Sequence, residues 1–162
     1  MARKPVFFSF HFDNDVMRVQ QVRNIGALED NQPVSANDWE EVKRKGDASI
    51  EKWIDENLKW RSCVVVLVGS ETANRKWVKY EIRKAWADGK GLLGVHIHNL
   101  KCPRNGQCGQ GANPFYQFTF DSGKRLSDVV KCYNPSAYDT YNEIARNLES
   151  WVDEAIQIRK NN

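Results

Sequence analysis

At 162 residues, with 41% hydrophobic and 28% charged side chains and a mean hydropathy of −0.66, the chain has the balance of one folded domain and excludes a disordered or fibrous segment. Its net charge of +3 is small, and basic and acidic residues interleave, as in Glu40-Glu-Val-Lys-Arg-Lys45, which marks a solvated helix face and argues against nucleic acid. No apolar run nears the roughly 18 residues of a membrane span, and Val6 to Phe12 is too short and polar for an export signal, so a cytoplasmic protein without membrane attachment is expected.

The first element is Pro5-Val-Phe-Phe-Ser-Phe-His-Phe12, with Phe8, Phe10 and Phe12 on one face and Phe7, Ser9 and His11 on the other. Apolar side chains on both faces predict an interior strand of a covered sheet. Asp13-Asn-Asp15 then supplies N-cap oxygens for a helix to about Ala27, with Val16, Val19 and Val22 or Arg23 on its stripe. Residues 28–38, which include Pro33, read as a loop with at most a short edge strand near Val34. One or two helices follow between Trp39 and Trp60, with Asp47 as a cap after Gly46 and a stripe of Ile50, Trp53, Ile54 and Leu58.

Ser62-Cys-Val-Val-Val-Leu-Val68 is the strongest strand and belongs at the centre of a parallel sheet. Gly69-Ser70 ends it, and a helix from about Asn74 to Asp88 stops at Gly89. Gly91-Leu-Leu-Gly-Val-His-Ile-His98 is the third strand. Residues 99–128 form an irregular insertion in which Phe115 to Phe120 and the turn Asp121-Ser-Gly-Lys124 suggest a hairpin. Val129 to Tyr133 reads as the last strand, and Tyr141, Ile144, Leu148, Trp151 or Val152, and Ala155 mark the last helix.

Strand and helix alternate about five times, which predicts a single α/β domain over 1–162: a mostly parallel sheet of about five strands between two helical layers. Ligands of such folds bind beyond the carboxyl ends of the strands. Ser9 to Asp15, Gly69 to Trp77 and His96 to Leu100 should therefore share one rim.

Trp77 and Glu81 stand four residues apart on one helix face at that rim. A carboxylate beside an indole suits glycosidic cleavage, because it can position a ribose hydroxyl or stabilise an oxocarbenium-like transition state. The spacing alone fits equally a core Trp and a solvated Glu paired with Lys84 or Arg75, the commoner case. His96 and His98 alternate along a strand and, with His11 or Cys102, offer a zinc reading that lacks an assured third ligand. Cys102 and Cys108 flank the Gly-rich loop and could approach each other, although a disulfide fits poorly in a reducing compartment. Gly106 to Gly111 fits neither a P-loop nor a dinucleotide fingerprint, and Gly69-Ser70 stands where a receiver domain would need its phospho-acceptor Asp.

Several blocks are similar to one family. Val6-Phe-Phe-Ser-Phe-His-Phe-Asp13 resembles the first strand and turn of TIR domains, and Trp77-Val-Lys-Tyr-Glu81 resembles the helix of NAD-cleaving members. The pattern Phe7-Phe-Ser-Phe-His11, Val68-Gly-Ser-x-Thr72, Asn74-Arg-x-Trp-Val-x-Tyr-Glu-Ile82, a Gly-Val-His-Ile strand and Gly111-x-Asn-Pro-Phe115 is closest to the TIR-like proteins of the Thoeris antiphage system. That resemblance covers about the first 120 residues. It implies a flavodoxin-like fold and an enzyme, needing no cofactor, that splits the nicotinamide–ribose bond of its substrate NAD. The product would be an ADP-ribose-derived signal, commonly a cyclic ADP-ribose isomer, that switches on a separate effector. It further implies Glu81 as catalytic carboxylate and Ser9, Phe10 and His11 along the pocket. Ser70 and Trp77 would close the other side, Asn37, Asp38 and Trp39 would form a covering loop, and self-association could complete the pocket. Two other functions remain: a TIR-like adaptor without catalysis, and a transferase acting on free nucleosides.

Overall fold

The computed structural model describes residues 5–25, 44–101 and 108–162. Within them four strands form one sheet: β1 (Val6–Ser9), β2 (Cys63–Val68), β3 (Gly91–His96) and β4 (Cys132–Tyr133). They lie in the order β1-β2-β3-β4 and every pair is parallel. The loop containing Val34 falls outside the described residues.

The run Cys63-Val-Val-Val-Leu-Val68 explains the centre of this sheet. All six side chains are fully buried, because branched residues fill the pleat from both faces and both faces are covered. Helix α1 (Phe12–Arg23) and helix α4 (Thr140–Lys160) cover one face. There Val19, Val22, Ile144, Leu148 and Val152 pack against Phe8, Val65, Leu67 and Val95. Helix α2 (Asp47–Leu58) and helix α3 (Lys76–Ala87) cover the other. There Ile50, Ile54, Leu58 and Ile82 meet Phe7, Val64, Val66 and Val68. Alternation along β1 therefore sends Phe8 to one layer and Phe7 and Ser9 to the other. This choice of layer places the site.

Several element ends depart from the sequence expectations. Helix α1 starts at Phe12 with His11 as N-cap and no side-chain cap, so Asp13, Asn14 and Asp15 lie inside its first turn. Asp15 does not cap because Arg18 draws it inward, with an ion pair at 3.3 Å. Gly46 rather than Asp47 caps α2, at a φ of 91° that glycine adopts freely, and the Asp47 carboxylate reaches Lys76 across the rim at 2.5 Å. The predicted hairpin shrinks to a single antiparallel bridge, Thr119–Arg125. Phe115, expected in its first strand, lies in the 3-10 turn Pro114–Gln117, fully buried under the sheet.

The last strand is only two residues long, and side chains reinforce its backbone pairing with β3. Tyr133 stacks on Trp151 of α4 with ring centroids 4.3 Å apart, and its hydroxyl donates to Glu154 at 3.0 Å. Replacing Tyr133 by Leu removes both the stack and the hydrogen bond, with an expected cost of about 1–2 kcal/mol in urea unfolding. A change below about 0.3 kcal/mol would show that β4 is anchored elsewhere.

Candidate active site

The strand ends and the insertion build one rim. Gly69 packs so closely on the fully buried Asp15 that a Cβ would overlap its carboxylate. The Gly69 amide donates to Thr72 Oγ1 at 2.8 Å, while Arg18 Nε donates to the Leu100 carbonyl at 3.0 Å. Burial raises the Asp15 pKa, and the Arg18 guanidinium and Thr72 hydroxyl pull it back. The insertion is strapped over this frame. Gly111 lies against the Gly69 carbonyl, the Cys108 amide donates to His98 at 2.9 Å, and Gln117 Nε2 donates to Ala73 at 2.7 Å.

Glu81 lies beneath the rim in the α2–α3 layer. Its residue is 7% exposed, and its Oε2 is buried without a hydrogen-bond partner. Burial pushes its pKa up to about 8, while the Ser9 hydroxyl beside it pulls the other way. The sequence explains the position: Val78, Ile82 and Ala85 anchor the α3 stripe to the sheet, and Glu81 shares that inner face. An isolated carboxyl inside a protein costs stability, and such groups concentrate at functional sites.

Around Glu81 the residues singled out by sequence divide. Ser9 is fully buried at the end of β1, in the layer of Glu81. Trp77, one turn earlier on α3, is half-buried and meets Tyr80 edge-on at 5.7 Å, with the Lys76 ammonium 4.9 Å from its ring centroid. His11 is buried at the rim and its Nε2 accepts from the Arg75 guanidinium. Ser70 is half-buried in the turn after β2. Phe10 packs with the opposite layer, against the α1–α4 core. Asn37, Asp38 and Trp39 lie outside the described residues, as does Cys102 with the disulfide and zinc readings that used it.

His96 and His98 do share a face, with rings 5.8 Å apart and perpendicular. Burial lowers both pKa values; the other imidazole adds to this for His96, and the Arg18 charge for His98. Among the described residues no group of three His, Cys, Asp or Glu side chains could hold a metal, and no helix is long and apolar enough to cross a membrane. A solvent-open groove of about 320 Å³ beside Gln21, Leu100 and Tyr138 lies on the α1–α4 side and is lined by none of Ser9, Phe10, His11, Ser70, Trp77 and Glu81.

Sequence reasoning missed Arg75 as a neighbour of His11, although it stands in the quoted Asn74-Arg-x-Trp block. It also missed the Asp15–Arg18 frame, for which an acid and a base three apart at a helix start was the only signal.

Two comparisons bear on this arrangement. A sequence model described as Thoeris protein ThsB, TIR-like domain, matches residues 7–102, a span that holds all but the first residue of β1, the whole of β2 and β3, and Glu81. The chain is also 38% identical over 132 residues to "Putative cyclic ADP-D-ribose synthase ThsB1" of Bacillus cereus (strain MSX-D12), covering 76% of this chain and 68% of that protein. With the parallel sheet between helical layers, these matches place the chain in the Thoeris ThsB family of TIR-like domains.

Proposed function

We propose that this chain cleaves the nicotinamide–ribose bond of NAD and releases a cyclic ADP-ribose isomer that activates a separate effector in antiphage defence. The observation that carries this reading is the Glu81 carboxyl, buried beside Ser9 with one oxygen unpartnered, at the strand-end rim of the fold. Family membership and the relative named as a cyclic ADP-D-ribose synthase support the choice of substrate.

The chemistry suits one carboxylate. Nicotinamide leaves NAD as a neutral base, taking the bonding pair of the C1′–N bond, so no general acid is required. Positive charge then develops on the ribose, and an anion in a dry pocket stabilises it strongly. The pyridinium ring of NAD favours the ionised form of Glu81 on entry, and the neighbouring Ser9 hydroxyl favours it as well. Attack at C1′ by a group of the same molecule closes the ring, and attack by water gives ADP-ribose. Trp77 and Ser70 flank the pocket in this reading. Self-association that completes the pocket also belongs to it.

The test is incubation of purified protein with NAD at low and high protein concentration, with mass spectrometry of the products. Nicotinamide together with a product one water lighter than ADP-ribose is expected. ADP-ribose alone would make the enzyme a hydrolase. No consumption at any concentration would favour the adaptor, and base release from nucleosides without NAD consumption would favour the transferase.

A further inference from the structure

Arg75 is the N-cap residue of α3, and its side chain is exposed. Its guanidinium crosses the rim to His11 Nε2. A guanidinium can only donate, so this ring nitrogen must be the unprotonated one. The contact fixes the Arg75 side chain without neutralising it. Among the described residues no carboxylate pairs with Arg75, whereas Lys76 beside it is paired with Asp47 at 2.5 Å. A positioned guanidinium with donors to spare is the usual means of gripping phosphate oxygens. The first turn of α3 adds to this. No side chain caps it, so its amides and positive dipole end reinforce an anion site there.

The location selects which anion. His11 stands two residues after Ser9, just past the end of β1, and is itself extended (φ −85°, ψ 100°), and Ser9 lies beside Glu81. Two residues of strand advance about 6.6 Å, comparable to one ribose with its 5′-carbon. A glycosidic bond placed at Glu81 therefore brings the diphosphate of a dinucleotide near the His11–Arg75 pair.

We propose that Arg75, held in position by His11, is the diphosphate-binding residue of the Glu81 site. This rests on the NAD reading above and adds to it a phosphate subsite. Arg75 binds substrate without touching the reacting atoms, and His11 is a positioning residue.

The experiment measures two quantities, KM and kcat for NAD in the otherwise native protein, and Kd for ADP-ribose by calorimetry in the Glu81→Gln background. Arg75→Ala is expected to raise both KM and Kd at least tenfold, with kcat changed much less, and Arg75→Lys to raise them by a smaller factor. By itself His11→Ala should raise both KM and Kd, but it should add little on top of Arg75→Ala, because both act through one contact. Arg83→Ala supplies the charge control: Arg83 lies on the same helix, with its guanidinium 5.6 Å from the Phe118 ring centroid, and its loss should leave KM and Kd within twofold. Inorganic pyrophosphate should compete with ADP-ribose in the Glu81→Gln protein and lose that competition in the Arg75→Ala double variant. An unchanged KM and Kd in Arg75→Ala, with NAD still cleaved by the native protein, overturns the phosphate assignment alone. Absence of both NAD cleavage and ADP-ribose binding in the native protein overturns the NAD reading and this assignment with it.

Discussion

Replacing Glu81 by Gln is expected to abolish NAD cleavage and, at alkaline pH, to make the protein more stable. Glu81 is an acid whose folded pKa, about 8, lies above its ordinary value of 4.5 because it is buried. The folded state therefore holds the proton more tightly than the unfolded state, and stability falls as pH rises from about 5 through about 8. Gln has nearly the same shape and no charge to bury. Its advantage over Glu should be about 1 kcal/mol at pH 5 and on the order of 5 kcal/mol at pH 9, from the size of the shift at 1.36 kcal/mol per unit. Chemical denaturation at both pH values measures this. In the same protein nicotinamide release should drop at least a thousandfold, since the charge that stabilises the transition state has gone. For the native enzyme kcat/KM should rise with pH and level off above about 8, as the free enzyme gains its carboxylate. A variant that gains stability while losing function is the signature of a functional group retained at structural cost. Equal stability at both pH values would show that the carboxyl is not buried as described.

The second large effect is expected at Arg18. Asp15 is fully buried, Arg18 is 2% exposed, and the two pair at 3.3 Å. Arg18→Met keeps much of the side-chain volume but leaves Asp15 without its cation, and breaking a buried pair in this way costs about 3–5 kcal/mol. The sign with pH follows from Asp15, whose pKa is already raised by burial and held back first by Arg18. Without Arg18 it rises further, so the loss should grow as pH increases and shrink as Asp15 protonates. Asp15→Asn placed in the Arg18→Met background should recover much of the deficit at pH 8. Equilibrium unfolding of the four proteins of this cycle provides the measurement. Additive effects would mean that the pair does not couple. Gly69, Thr72 and Leu100 all meet this frame, so the variant should also weaken the rim above Glu81.

Much of the fold was legible because burial leaves a local imprint. The apolar run 63–68, the stripe Ile50, Ile54, Leu58 and the stripe Ile144, Leu148, Val152 are each explained by what their two sides touch. Element ends were less legible, since they depend on distant partners. Asp15 looked like a cap because Asp favours caps, and only Arg18 and Thr72 reveal why it turns inward. Phe115 alternated with its neighbours like a strand residue, yet it alone is fully buried under the sheet, while Phe118 and Phe120 pack half-buried at the edge of that core.

The candidate site was legible in kind through Glu81 and Trp77, whose four-residue spacing places them on one face of a rim helix. Which partner each has could not be read from spacing. Glu81 faces Ser9 rather than Lys84 or Arg75, because Val78, Ile82 and Ala85 turn that face inward. Lys84 instead pairs with Asp88 at 3.4 Å. Arg75 meets a residue 64 positions away in sequence, a contact that only the parallel β1–β2 pairing creates.

Glu81 is the group on which bond cleavage is proposed to depend. The measurement is nicotinamide release from NAD by the native protein and by Glu81→Gln, side by side at pH 8 and high protein concentration, with both proteins shown to be folded by circular dichroism. Release by the native protein and none above background by the variant is the predicted result. Comparable release by a folded Glu81→Gln protein would contradict it and move the chemistry to another residue.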